Sequence, residues 1–299
     1  LSIMSETNYH SFATLAEIIQ QFLLNLQGHT THYNTFDSHG FEEKKFLEKI
    51  KDFPLSHTFF YIYKLWLCFL YEDAVGAQKY LGLADKWISA LVSANQNADF
   101  CLFAFLTTAR LMPKMGLKNR IFAWFRLRKE LRQMRIWADH CPDNFQHRRY
   151  MMEAEMARLS NKHGLAQKRY SQAVNTARES GFLSDEALTN ELAGQYYLMN
   201  GNEQVAGFYM RSAHTIYTRW GASAKVKQME KHHGYLMADK KAVEEGDTDQ
   251  VVSDLSSQSY ISSDVLDLNS VIKASQVISG EIIMEKLLKN LMLILIENA

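Results

Sequence analysis

The chain has 299 residues, 47% of them hydrophobic, and its 33 Lys and Arg are balanced by 33 Asp and Glu. That is enough apolar material for one large or two modest domains, and a formal charge of zero excludes a global field drawing the molecule to nucleic acid or an anionic membrane. Cys68, Cys101 and Cys141 stand far apart with no CxxC spacing, which argues against a disulfide framework and for a reducing, cytoplasmic setting.

Three prolines and fourteen glycines leave few breakers, and apolar residues recur at three and four positions nearly throughout, so the fold class is all-α. Helices are predicted at Phe12–Leu26, Phe41–Lys51, His57–Tyr71, Ala74–Val92, Asp99–Leu111, Asn119–Ala138, Phe145–Leu159, Gly164–Ser180, Asp185–Met199, Glu203–Arg219 and Ser223–Leu236. The opening segment LSIMSETNYH lacks the basic stretch and apolar core of a signal peptide. Residues 1–38 are expected as a helical lead-in from a preceding domain. Within it, GHTTHYNTFDSHG carries His29, His32, Asp37 and His39. Their spacing fits no standard metal site and no Cys accompanies them, so a polar loop is expected and no metal.

Residues 39–238 form the expected repeat domain. ARLSNKHGLA (157–166) echoes ARLMPKMGLK (109–118), and Ala166, Ala173 and Gly181 recur as Ala206, Ala213 and Gly221. Small residues where helices cross, an aromatic nearby (Tyr170, Phe208, Tyr209) and a Gly turn are what a tetratricopeptide-like hairpin needs, although the period exceeds the usual length. The predicted architecture is a degenerate solenoid of such hairpins. Trp220 is expected as an anchor beneath the Gly221 turn, and Tyr196, Tyr197 and Met199 as parts of the repeat core.

The helix KNRIFAWFRLRKELRQMR (118–135) has an apolar stripe of Trp124, Leu127, Leu131, Met134 and Ala138. Arg120, Arg126, Arg128, Lys129, Arg132 and Arg135 load the rest of its surface and are the candidate partner-binding residues. A solvated face is the plain expectation, a docking face for an acidic partner the sharper one; nucleic acid is disfavoured by the neutral chain. Cys141, between His140 and Asp143 in ADHCPDN, suggests a thiol nucleophile, but Pro142 makes this a turn and a half-buried structural thiol is expected. His232-His233 is expected to favour a helix C-terminus electrostatically.

From Asp239 to Asp267 eight acidic residues face two lysines amid many serines. Residues 239–263 are therefore expected to be a solvated linker, and this acidic stretch is an intramolecular candidate for the basic helix. A connector helix should restart at 264–299, with Leu268, Val271, Ile278, Met284, Leu287, Leu291 and Leu295 on its apolar surface. Its last part is apolar round most of its circumference, so it is expected to be buried or to self-associate, as in a homodimer. The longest apolar run there, Leu291–Ile296, falls well short of the ~20 residues that span a bilayer, and no membrane span is expected.

LDLNSVIKASQVISGEIIMEKLLKNLMLILIENA (266–299), WADHCPDNFQHRRYMMEAEMARL (137–159) and SDEALTNELAGQYYLMNGNEQVAGFYMRSAHTIYTRWGASAKVKQME (184–230) together resemble one family. It consists of multidomain signalling proteins that join a serine/threonine kinase domain, an AAA-type ATPase domain, a helical repeat region, a GAF domain and a histidine kinase. The resemblance implies that 264–299 is the connector and the truncated start of a GAF domain, and that the parent is an ATP-dependent histidine kinase. Its phosphoryl-transfer parts are not expected here, since no GxxxxGK[ST], GxGxxG, HRD or DFG motif occurs. The expectation is a non-catalytic scaffold and signal-transmitting connector, without catalytic residues or cofactor, whose partners are other proteins and the neighbouring domains of its parent. The alternative is a free-standing tetratricopeptide-like adaptor or transcriptional regulator subunit that binds a peptide.

Overall fold

A computed structural model describes residues 2–88 and 94–237, which belong to the first of the two units into which the chain's contacts divide it, Leu1–Asp239. The expected linker and the connector helix, with Leu268, Val271, Ile278, Met284, Leu287, Leu291 and Leu295, lie outside the described residues.

Among the described residues the fold is all-helical and contains no strand. The helices are α1 (Ser2–Gln27), α2 (Glu43–Lys49), α3 (Pro54–Leu70), α4 (Ala74–Trp87), α5 (Ala94–Leu111), α6 (Leu117–His140), α7 (Pro142–Leu159), α8 (His163–Glu179), α9 (Leu183–Met199), α10 (Glu203–Trp220) and α11 (Ser223–Met237). Their starts follow local chemistry. Pro54 and Pro142 open α3 and α7, where a missing N–H costs nothing. Asp73 accepts from Gly76 N at 2.9 Å to cap α4, and Asn202 accepts from Val205 N at 3.1 Å to cap α10.

Helix ends are more uniform than the sequence suggests. Asn161, Gly181, Gly201 and Gly221 all have positive φ, of 55°, 77°, 75° and 87°, and follow one another at intervals of 20 residues. After each, the next N–H bonds back to the carbonyl five residues earlier. The pairs are Lys162 to Ala157, Phe182 to Ala177, Asn202 to Tyr197 and Ala222 to Tyr217, at 2.9–3.0 Å. This left-handed cap ends α7, α8, α9 and α10 in the same way. The other echo, at 109–118, ends differently: α5 passes into a short 3-10 turn at Met112–Lys114.

Successive helices pack on one another from α3 to α11, and α3 on α5, α5 on α7 and α7 on α9 also touch. The last described helix returns to the first, α11 packing on α1. Ala166 and Ala173 on α8, and Ala206 and Ala213 on α10, are fully buried, so their small side chains let the crossing helices approach. Trp220 is half-buried and stacks on Trp66 of α3 (centroids 6.2 Å, 16°). It is an anchor between distant helices as well as a neighbour of its own turn.

Some expected core members face outward. Met199 is 64% exposed and Phe208 58% exposed, because a helical wheel gives a residue's face but not whether another helix covers it. Tyr170 and Tyr196 are buried as expected. The His29–His39 segment is a loop drawn around Asn25, whose amide donates to Thr30 Oγ1 and to the carbonyls of His32, Tyr33 and Thr35. Asp37 accepts from Glu43 N at 2.7 Å and so anchors the start of α2. His232-His233 does not close its helix: α11 is kinked at His233 (φ −129°) and continues to Met237.

Candidate functional site

The basic helix α6 buries Ala123, Leu127, Leu131, Met134 and Ala138, a stripe at helical spacing that turns the rest of its circumference outward. The six candidate cations divide between its sides. Arg126 leaves the group: it reaches Asp85 of α4 with both terminal nitrogens, at 2.7 and 3.0 Å. Arg135 pairs with Glu153 of α7. Arg128 lies over the Trp124 ring, 5.7 Å from its centroid. Arg120, Lys129 and Arg132 are exposed, and with Arg128 they make no ion pair among the described residues.

Trp124, expected in the buried stripe, is half-buried and forms a wall instead. Together with Arg128, Leu131 and Arg135 it makes one side of a groove of about 460 Å³. The other side comes from Glu153, Met156 and Ala157 of α7, Ser160 and Lys162 of the turn, and Leu165 and Arg169 of α8. Four cations line it against one carboxylate.

That carboxylate organises the floor. Glu153 is 8% exposed and accepts hydrogen bonds from Arg135 Nε at 3.0 Å and Arg149 Nε at 3.2 Å, while Arg169 Nε forms an ion pair with it at 2.9 Å. Arg149 also reaches Asp139 at 2.9 Å. Glu153 and Asp139 together cannot neutralise three guanidinium groups, so the floor keeps a net positive charge, and the planar forks are held where a further carboxylate or phosphate can meet them.

Beside the groove, α6 exposes Leu117 (79%), Ile121 (58%), Phe122 (73%) and Phe125 (64%). Exposed apolar residues are normal singly; four large ones within nine residues of one helix, interleaved with Lys118, Arg120 and Arg128, form a contiguous apolar and basic surface. Sequence reasoning found the α6 cations but missed Glu153, Lys162, Leu165 and Arg169, which lie on other elements. The Arg149–Glu153 spacing of four was the only local signal.

Elsewhere the charged groups close on one another. Asp185 accepts from Arg148 Nε at 2.7 Å and pairs with His147 Nε2 at 2.8 Å, while Arg148 also donates to Asp99 at 2.7 Å. Lys225 donates to Glu191 at 2.6 Å and to the Leu70 carbonyl at 2.7 Å. Tyr170 donates to Glu155, and Lys64 pairs with Glu43. These are buried links between helices. The two buried thiols are not activated: burial pushes Cys68 up to about 12 and raises Cys101 as well. Cys141 is half-buried at the α6–α7 junction, and the neighbouring His140 ring bonds the Ile136 carbonyl through Nδ1 at 2.7 Å. Among the described residues no cluster of His, Cys, Asp and Glu is arranged to hold a metal, and no helix is long and apolar enough to cross a membrane.

Comparison with family models, curated proteins and solved structures gave no match to this chain.

Proposed function

We propose that this chain is a non-catalytic scaffold, a tetratricopeptide-like array of helical hairpins that connects domains of a multidomain sensor histidine kinase and binds other proteins on its surface. The observation that carries the reading is the recurrence of one left-handed helix cap at Asn161, Gly181, Gly201 and Gly221. Equally spaced caps from α7 to α10, buried alanines at corresponding places on α8 and α10, and contacts between alternate helices fit a stacked hairpin array. The placement of that array beside a GAF domain rests on the resemblance of residues 137–159, 184–230 and 266–299 to the signalling family. Arg120, Arg128, Lys129 and Arg132 of α6 support an interaction role, because they are exposed and make no ion pair among the described residues.

Sequencing the transcript on both sides of the coding stretch tests the connector. The expected result is an open frame that continues past Ala299 into GAF and histidine kinase coding sequence. A stop codon directly after Ala299 would overturn the connector and put the free-standing adaptor in its place.

A further inference from the structure

The groove between α6, α7 and α8 has a composition that narrows its partner. Its cations, Arg128, Arg135, Lys162 and Arg169, surround a floor already supplied with one carboxylate, and its remaining lining includes Trp124, Met156 and Leu165. A nucleic-acid strand could stack a base on Trp124, but its evenly spaced phosphates would leave Met156, Leu165 and the exposed Leu117, Ile121 and Phe125 without apolar cover. A purely apolar helix would leave Arg128 and Lys162 desolvated without a counter-charge, which is costly. A segment that alternates acidic and bulky apolar side chains satisfies both sets of groups. The surface beside the groove continues the pattern, with Leu117, Ile121 and Phe125 exposed next to Arg128 and Arg132.

We infer that this groove and the adjoining face of α6 bind an acidic amphipathic segment of a partner protein, with carboxylates reaching Arg128 and Lys162 and an apolar side chain seated against Trp124 and Leu165. The inference rests on the scaffold reading only in so far as it names that scaffold's partner. Its test is made on the isolated interaction, so the connector can fail while the groove stands, and the reverse.

The test is fluorescence anisotropy of the full chain with four labelled probes of about 20 residues or nucleotides. They are an amphipathic peptide of Glu and Leu, the same peptide with Gln for Glu, a Glu peptide without apolar residues, and a single-stranded oligonucleotide. The Glu–Leu peptide should bind at least tenfold more tightly than the other three and weaken as salt is raised. Arg128→Glu with Lys162→Glu should weaken it at least tenfold. Both side chains are free of ion pairs among the described residues, and circular dichroism would show that the helix content is kept. Phe125→Ser provides an uncharged second variant and should weaken binding several-fold. Equal binding of the Glu-only peptide would overturn the amphipathic partner in favour of bare charge attraction. Tighter binding of the oligonucleotide would overturn the protein partner. Unchanged affinity in both variants would place binding somewhere other than the groove.

Discussion

Asp185 and Asp99 share one arginine, yet they are moved in opposite directions. Burial alone would raise Asp185, but Arg148 and His147 outweigh it and hold the carboxyl well below the usual carboxylate range. For Asp99 burial wins over its single bond to Arg148, and the carboxyl is raised. The linkage signs differ accordingly. Asp185 contributes stability above its unfolded value of about 3.9, and that contribution is lost as pH falls through the native value. Asp99 contributes most at low pH and loses its contribution as pH rises. Asp185→Asn should therefore flatten the loss of stability on acidification and cost about 3–5 kcal/mol at pH 7, because Arg148 and His147 lose a buried anion. Asp99→Asn should steepen that loss. Urea unfolding of both variants from pH 3 to pH 7 checks the two signs.

These residues were also the least legible in the sequence. Charged side chains are read as solvated by default, and Asp185, Glu186 and Glu191 look like an ordinary helix surface in SDEALTNEL. The available signal was the helix as a whole: polar and apolar residues are spread evenly around α9, and a helix without a wet face is either surrounded or unstable. In the structure Asp185 through Gly194 are all buried.

At the scale of elements, helix positions were legible because breakers and periodicity act locally, and caps such as Asp73 and Asn202 mark starts within a residue or two. The partners of each face were not. Arg126 and Arg128 read alike in FRLRKE, and only the fold carries Arg126 to Asp85, 41 residues away. Trp124 shared the periodicity of the buried stripe but sits at its edge, where a wall residue and a core residue have the same spacing. The α9–α10 crossing gives an element-scale prediction. A Cβ at Gly194 would meet Met210 Cγ at 2.9 Å and its Cε at 3.0 Å, and Met210 is itself fully buried. Gly194→Ala should cost about 1–3 kcal/mol through overpacking, read by thermal denaturation, and should cost less in a Met210→Ala background than in the native chain, a coupling read in a double-mutant cycle. On α6 the expectation is reversed: Phe122→Ser, at an exposed site, should change stability by less than about 0.5 kcal/mol.

At the largest scale, the unread feature was the return of the described residues on themselves, α11 coming back to α1 and α3. Nothing in local periodicity joins residue 70 to residue 225, yet Lys225 bonds the Leu70 carbonyl, Trp220 stacks on Trp66, and Gly28 lies 3.6 Å from the Ala224 Cβ at its own virtual Cβ position. Lys225 has a fully buried side chain and its partner Glu191 nearly so. Lys225→Met should cost about 3–5 kcal/mol, since Glu191 is left charged and buried with only the neutral donors Tyr217 and Gln195. Adding Glu191→Gln should return part of it, a coupling of about 0.5–3 kcal/mol in a double-mutant cycle.

Closed charge pairs tie the interior of the described helices, whereas α6 presents exposed cations without ion pairs beside large exposed apolar side chains. Hydrogen–deuterium exchange of the full chain, with and without the Glu–Leu amphipathic peptide at saturation, tests that division most directly. Added protection confined to residues 117–140 and to the 160–165 turn is the predicted result. Protection centred instead on α3, α9 and α11, around Glu191 and Lys225, would contradict it by making the interior network the binding site.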